Sequence, residues 1–354
     1  MSLTFTALPV EEGDAFLLQD DGCNYLFDAG GGQSNIVKFL QKENVIKLDV
    51  AICSHNDNDH ANGFKGLLDL KKNKGIYINE LWLPGTWAKI IQFVIDNILS
   101  KKRWAIVDCA LRHMGCDVKC ELECPISDSD KDYIETKNLN SHLSDFSYIH
   151  DKYKTWSRIT KPSHMKLILD NIMDIAKLAY DDDRTIRWFK PLDWCVRNTI
   201  DYGFVALNSE EVLKIEKIDT VSVFIKTLLL TIENECSLVF EYHKNDMPVV
   251  RFSADSDCTC SSQPYNNSII ITAPHHGSDE NKIVYKLDNA NAIWVRTHHH
   301  RIQKPCNEFL GCNNKYCLRC VKRGFTQRVH FEYDGTQWKY TKSPKDKYDN
   351  TCSC

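Results

Sequence analysis

The amino-acid sequence predicts a fold of the α/β (α+β) class, with two β-sheets packed between helices in a four-layer αββα sandwich. In the first third of the chain, apolar runs typical of strands alternate with a helical pattern. A mainly helical stretch follows over residues 85–203, and strand patterns return near its end and continue to residue 300. Strands followed by helices and then strands again are expected to form two sheets that are covered by helices on their outer faces.

Hydrophobic periodicity assigns the individual elements. The predicted strands of the first third are residues 3–8, 16–19, 24–27, 48–53 and 78–83, and residues 35–42 form an amphipathic helix. Helical patterns follow at 88–99, in part of 131–149, and at 166–180. Further strands are predicted at 185–189, 204–207, 238–242, 249–254, 269–274 and around Trp294. We expect a domain at 1–300 that contains 85–203 as a mainly helical insertion, and a Cys-rich C-terminal extension at 301–354.

The segment Ser54–His60 carries the strongest functional signal. Directly after an apolar run it places imidazole and carboxylate groups, the usual ligands of divalent ions, at His55, Asp57, Asp59 and His60. Such a polar loop could instead only make a turn or cap a helix, because Asp and Asn side chains readily bond backbone amides.

Two further strand ends favour the metal site over a simple turn. The run at 249–254 leads to Asp255, and the run at 269–274 leads to His275 and His276. Three strand ends that are each followed by ligand-type side chains can place those side chains at one point. The metal ligands predicted from the sequence are His55, Asp57, Asp59, His60, Asp255, His275 and His276.

The order of these motifs resembles the metallo-β-lactamase superfamily, and within it the hydrolase domain of ComEC-type DNA-uptake proteins. The resemblance covers residues 3 to about 84 and about 204 to 300. Its segments are Gly13–Ala15, Phe27–Gly31, Ser54–Gly63, Asn234–Phe240, Ser253–Asp255 and Ala273–Ser278. It implies the metallo-β-lactamase form of the αββα sandwich.

The resemblance also implies roles for single residues. Asp255 would bridge two ions, and Asp59 and His60 would belong to the second ion site, which His276 or His275 completes. The remaining histidine of that pair, or Ser278, would contact a phosphate or protonate the leaving oxygen. The implied catalytic residues are Asp59, His276 and Ser278.

The sequence departs from the superfamily pattern at two places. Asp57 stands where most of these hydrolases have a histidine, and this harder oxygen ligand favours Mn²⁺ or Mg²⁺ a little more than is usual in the superfamily. No histidine between residues 61 and 254 lies in a recognisable motif, and Asn234 is nearest to the position of the missing ligand. We expect one or two divalent ions, Zn or Mn.

These ligand types predict hydrolysis of phosphodiester bonds by a metal-bound hydroxide, because such ions lower the pKa of water from about 15.7 to about 7. The resemblance implies a nuclease that acts on single-stranded or flexible nucleic acid. Two alternatives stay open. One is a phosphodiesterase for a small or cyclic nucleotide, and the other is a metal-stabilised binding protein that recruits a protein partner through residues 85–203.

Composition favours a cytoplasmic protein. The chain of 354 residues has no apolar run near the ~20 residues needed to cross a membrane, and its first residues do not resemble an export signal. Without export, its 16 cysteines are expected to be thiols or metal ligands. The net charge of −4 provides no general attraction to nucleic acid. Trp156 and Trp188, among basic residues, could stack on a single strand or could be core residues.

Two C-terminal clusters add expectations. Cys306, Cys312, Cys317 and Cys320 could hold a structural zinc, or they could be buried thiols. The run His298–His300 could place one more imidazole at the metal site, or it could be a surface loop.

Overall fold

The computed structural model describes residues 3–98, 107, 133–135, 164–181, 184–192, 194–232, 236–257, 263–300, 304–319, 327–342 and 352. These residues form a mixed α/β fold with two large mixed sheets and helices, as the sequence predicted.

The first sheet has nine described strands. They are β1 Leu3–Ala7, β2 Phe16–Asp20, β3 Cys23–Phe27, β4 Lys47–Ile52, β5 Tyr77–Pro84, β7 Thr185–Pro191, β10 Ser209–Glu211, β17 Val329–Tyr333 and β18 Trp338–Tyr340. Their order is β10-β7-β5-β4-β3-β2-β1-β17-β18. The four strands β3, β4, β5 and β7 are parallel, so their carboxyl ends meet at one edge of the sheet.

The second sheet has seven described strands. They are β8 Asn198–Thr199, β9 Phe204–Ala206, β12 Phe240–Lys244, β13 Met247–Phe252, β14 Ile269–Thr272, β15 Ala292–Arg296 and β16 Asn314–Cys317, in the order β16-β15-β14-β13-β12-β9-β8. Here β13 to β16 are parallel. Strand β16 belongs to this sheet and β17 and β18 to the first, so residues of the predicted C-terminal extension take part in both.

A small sheet pairs β6 Tyr133–Glu135 with β11 Lys214–Glu216. These three residues lie within 131–149, part of which is predicted to be helical, and they form a strand instead. The rest of that stretch lies outside the described residues.

Six α-helices are described: α1 Gln33–Lys42, α2 Asn58–Leu68, α3 Gly85–Asn97, α4 His164–Asp181, α5 Val221–Leu230 and α6 Asn307–Gly311. The first five pack their apolar faces in one buried cluster that also includes side chains of β4 and β5. A 3₁₀ segment, Asp279–Leu287, packs with α6 and with β14 and β15 of the second sheet. None of the described helices is long and apolar enough to cross a membrane.

Aromatic side chains fill the space between the two sheets. Phe27 of the first sheet stacks on Phe252 of the second, with ring centroids 4.7 Å apart and an interplanar angle of 10°. Trp82 and Phe240 meet across the same interface at 5.8 Å. Because Phe27 and Phe252 end strands β3 and β13, this packing fixes where the loops after both strands begin.

Candidate metal centre

The loops that follow β3, β4, β13 and β14 meet at one edge of the sandwich. They begin at the carboxyl ends of two pairs of parallel strands, one pair in each sheet. His55 follows β4, Asp255 follows β13, and His275 follows β14. The three strand ends singled out in the sequence thus bring their side chains together, as expected for loops at a common sheet edge.

Helix α2 begins inside the first motif. Asp57 occupies the N-cap position, but its side chain makes no capping hydrogen bond. Asp59 and His60 lie in the first turn of the helix. A purely helix-capping role for the motif therefore has no support at Asp57, whose carboxylate instead lies 3.8 Å from Nε2 of His55.

Asp255 lies between two groups of side chains and turns one carboxylate oxygen towards each. Its Oδ2 lies 3.7 Å from Nε2 of His55 and 4.0 Å from Nε2 of His275. We call His55, Asp57 and His275 the first donor group.

The second donor group consists of Asp59, His60 and His276. Nε2 of His60 lies 3.2 Å from Oδ1 of Asp255 and 3.9 Å from Oδ2 of Asp59. Nε2 of His276 lies 2.9 Å from the same Asp59 oxygen. Of the two histidines considered for this group, His276 is therefore the one that lies in it, while His275 faces the other oxygen of Asp255.

Buried atoms at the centre fit a bound cation. Among the described residues, Nε2 of His55, Nε2 of His60 and Oδ1 of Asp255 are buried without a hydrogen-bond partner. Leaving a buried polar atom such as Nε2 of His55 unpaired costs about 1–3 kcal/mol. The ligand atoms of His55, His60 and Asp255 lie within 4.8 Å of one another, as do those of Asp59, His60 and His276. Imidazole and carboxylate donors at this spacing are suited to divalent ions.

Asp28, directly after β3, holds the imidazole of His60. Oδ2 of Asp28 lies 2.8 Å from Nδ1 of His60 and accepts a hydrogen bond from Oγ of Ser54, also at 2.8 Å. The Ser54 amide donates to the other Asp28 oxygen. An ionised carboxylate can only accept, so Nδ1 of His60 donates and Nε2 is left to face Asp255. Ser54 also contacts Nδ1 of His55, at 2.9 Å.

Asp14 and Thr297 support His276 in a similar way. Nδ1 of His276 lies 2.7 Å from Oγ1 of Thr297 and 3.3 Å from Oδ1 of Asp14. The Thr297 hydroxyl donates to Asp14 at 2.5 Å. Asp14 and Asp28 lie in two of the sequence segments that resemble the superfamily, but no role was predicted for either residue. Thr297 was not predicted from the sequence at all.

Close imidazoles and carboxylates shift one another's pKa values. Burial lowers the pKa of His60, but Asp255 and Asp59 outweigh it and hold that pKa well above 6.5. His276 is also buried, yet neighbouring carboxylates raise its pKa to about 10. Burial acts to raise the pKa of Asp255, but the imidazoles keep it well below its usual range. Without a metal the centre holds protons that a divalent ion would displace.

Left-handed backbone conformations cluster at the centre. Asp28, Ala254, His275 and His276 all have positive φ, between 46° and 56°. Non-glycine residues adopt this region at an energetic cost, of order 1–3 kcal/mol in sparsely populated cases, and such residues concentrate at functional sites. Because these residues lie beside the donor groups, their conformations agree with a functional site at this edge of the sandwich.

The other predicted residues lie in different surroundings. The Ser278 hydroxyl accepts from the Glu280 amide at 3.3 Å and caps the 3₁₀ segment, so its role towards substrate stays a prediction. His299 lies 3.9 Å from Asp59, so the expectation that one imidazole of 298–300 reaches the centre agrees with the geometry. Asn234 lies outside the described residues.

The C-terminal cysteines that the structure describes are buried, and they contribute to none of the described donor groups. Cys306, Cys312 and Cys317 belong to the apolar cluster beside the second sheet, and Cys320 lies outside the described residues. The groups of described residues able to hold a metal contain no cysteine. The structural zinc stays a prediction.

Trp188 is a core residue with 1% of its surface exposed, which excludes it as a stacking platform in this state. Trp156 lies outside the described residues. No described tryptophan of the pair therefore supports binding to a single strand.

Residues 8–109 match the family model described as the metallo-beta-lactamase superfamily. No curated protein matches the chain. The matched region contains both His55 and His60, and the two large sheets with their helices are consistent with the α/β sandwich of that superfamily. The match and the donor groups together indicate a metal-dependent hydrolase.

Proposed function

We propose that the protein hydrolyses phosphodiester bonds, as a nuclease on single-stranded or flexible nucleic acid. The observation that carries this proposal is the position of Asp255, whose two oxygens face two separate groups of imidazole and carboxylate donors. A shared carboxylate between two such groups is the arrangement used to hold paired divalent ions, and paired ions are common in phosphatases and nucleases.

The donors divide into two sets that share Asp255. His55, Asp57 and His275 would hold one ion, and Asp59, His60 and His276 would hold the other. His275 then takes the place of the ligand that the sequence lacks between residues 61 and 254. Bound divalent ions would supply Lewis acidity towards a phosphate oxygen and would ease the ionisation of water near neutral pH.

The chain's own residues fix the site and leave one side open. Asp28 orients His60, and Thr297 with Asp14 orients His276. The exposed fractions of the Asp57 and His275 side chains are 38% and 22%, against 3% for Asp255. A substrate would therefore approach from the side of Asp57 and His275. The choice of nucleic acid rests on the resemblance of Ser54–Gly63 and Ala273–Ser278 to the DNA-uptake hydrolases.

The test is hydrolysis by metal-depleted protein after Mn²⁺, Zn²⁺ or Mg²⁺ is added back. Substrates are single-stranded DNA, duplex DNA, RNA, a cyclic nucleotide and a generic phosphodiester. Asp255→Asn should reduce metal-dependent cleavage by more than about 100-fold, since it removes the negative charge and one of the two oxygens of the shared carboxylate, rather than a supporting partner. Asp279→Asn is the matched control, because Asp279 is an exposed aspartate that belongs to neither donor group and pairs with Lys282.

The outcomes distinguish the nuclease from the small-nucleotide phosphodiesterase and from the binding protein. Cleavage of single strands that depends on metal and on Asp255 supports the proposal. Cleavage of the cyclic nucleotide alone replaces the nuclease with the small-nucleotide alternative. Stoichiometric metal binding without any hydrolysis contradicts an enzymatic role and leaves the binding protein.

A further inference from the structure

A second cluster of possible ligands lies beside the metal centre and is not used by either donor group. Its members are Glu12, His299 and His300, whose ligand atoms all lie within 4.8 Å of one another. Oε1 of Glu12 lies 3.4 Å from Nε2 of His299 and pairs with Nδ1 of His300. We call these residues the rim cluster.

Backbone hydrogen bonds hold the two halves of the rim cluster in register. The Gly13 amide donates to the His298 carbonyl at 2.7 Å, which forms an isolated antiparallel bridge. The Gly31 amide donates to the Glu12 carbonyl at 3.0 Å. Three loops distant in sequence are thus tied together, so the rim ligands are positioned by the fold rather than by chance contact of long side chains.

The rim cluster adjoins the second donor group but opens to solvent. The rings of His299 and His276 stack with centroids 5.3 Å apart and an interplanar angle of 13°. Nε2 of His299 lies 3.9 Å from Oδ2 of Asp59. The His300 side chain is 62% exposed and that of Glu12 is 39% exposed. The cluster therefore lies at the solvent-exposed edge of the second donor group, where His299 contacts both His276 and Asp59.

The charges at this place favour a cation over an anion. A phosphate group would meet the carboxylates of Glu12 and Asp59, which repel it. Two imidazoles and one carboxylate instead match the preferences of divalent transition ions such as Zn²⁺ and Mn²⁺. Solvent would occupy the remaining coordination positions because two of the three side chains are exposed.

We propose that the rim cluster is an additional divalent-cation site, separate from the two donor groups around Asp255. It binds more weakly than the buried groups, because the side chains of Glu12 and His300 are exposed to solvent. The proposal concerns ion binding alone and does not depend on which substrate is hydrolysed.

The experiment counts bound ions. Metal-depleted full-length protein is dialysed against rising concentrations of Mn²⁺ or Zn²⁺, and the metal content per chain is measured by plasma mass spectrometry. At the highest concentrations, Glu12→Gln and His300→Ala should each bind about one ion per chain fewer than the unchanged protein, while the tightly bound ions remain. Glu332→Gln is the control. Glu332 is also a glutamate close to a histidine, 3.9 Å from His330, but it belongs to none of the possible metal-binding groups of the described residues.

Equal ion counts in the unchanged protein and both variants would overturn the proposal. So would loss of the tightly bound ions along with the weak one, because the rim cluster would then be part of the second donor group. The exposed His300 provides a variant with little risk to folding if Glu12→Gln proves unstable. Since no turnover enters the count, an inactive protein that shows the expected loss would refute the proposed function and leave this site standing.

Discussion

At the scale of single residues, Asp28 shows how a side chain outside the two donor groups can orient one of their imidazoles. It is fully buried, and its two oxygens accept from the Ser54 amide and hydroxyl while one also binds Nδ1 of His60. These bonds set both the tautomer and the orientation of the His60 ring.

We therefore expect Asp28→Asn to weaken metal binding by about 10–100-fold, because the amide can donate to the imidazole and no longer enforces one tautomer. Equilibrium dialysis with Mn²⁺ measures this. Asp288→Asn is a matched control, since Asp288 also accepts side-chain bonds, from Trp294 and Asn313, but lies outside the centre. Equal affinity of Asp28→Asn and the unchanged protein would rule out the orienting role.

The same scale shows what the sequence could and could not predict about the site. The proposed ligands could be located from the sequence because their motifs follow strand ends, which is a local signal. The partners of His276 are not local: Asp14 and Thr297 are 283 positions apart in the chain. Nothing near either residue indicates the other, so only the folded structure brings the pair together.

At the scale of elements, helix α2 determines where Asp59 and His60 lie. The helix packs closely against the loop after β3, and the Gly63 amide donates to the Gly30 carbonyl at 2.8 Å. A Cβ atom on Gly63 would lie 2.0 Å from the Ala29 carbonyl oxygen, which is too close for any real contact. The glycine is thus required by the close approach of helix and loop.

Gly63→Ala should destabilise the protein by at least about 1–3 kcal/mol, since the helix must move away from the loop. The movement should also lower metal affinity, because α2 carries two ligands. Thermal unfolding and a Mn²⁺ titration test both effects. Gly311→Ala serves as the comparison, because a Cβ at Gly311 in α6 would meet nothing within 4 Å. If both variants unfold at the same temperature, the close packing of α2 on the loop after β3 does not require glycine at position 63.

Helix α5 marks a limit of pattern-based prediction. Val221–Leu230 was not assigned from the sequence, and its β-branched and apolar residues are equally typical of a buried strand. The Thr220 side chain accepts from the Val223 amide and begins the helix. Phe224 then stacks on Phe93 of α3 at 4.4 Å. Local propensity does not distinguish a helix from a strand at Val221–Leu230, and tertiary packing selects the helix. By contrast, strands β3, β4, β5 and β14 were predicted within a few residues because their apolar runs are strong, whereas β16, β17 and β18 were not assigned from the sequence.

At the scale of the whole molecule, the candidate metal centre lies between the two sheets. His55, Asp57, Asp59 and His60 belong to the first sheet and its helix, while Asp255, His275 and His276 follow strands of the second. Ions bound between them would link the two halves of the sandwich. An ion that binds only the folded state stabilises it by about 4 kcal/mol at a thousand times its dissociation constant.

The stabilisation by metal should increase with pH. In the metal-free protein the pKa of His276 is raised to about 10, against an ordinary value of 6.5. A raised imidazole pKa adds stability that is fully present below pH 6.5 and is lost as the pH rises towards 10. Bound ions replace that proton, so the metal-loaded protein does not lose this contribution.

The difference in melting temperature between loaded and metal-depleted protein should therefore be larger at pH 9 than at pH 6. Thermal unfolding at several pH values measures it, and His276→Gln should flatten the decline of the metal-depleted protein. A difference that stays constant with pH would mean that His276 does not carry the proton that the ion displaces.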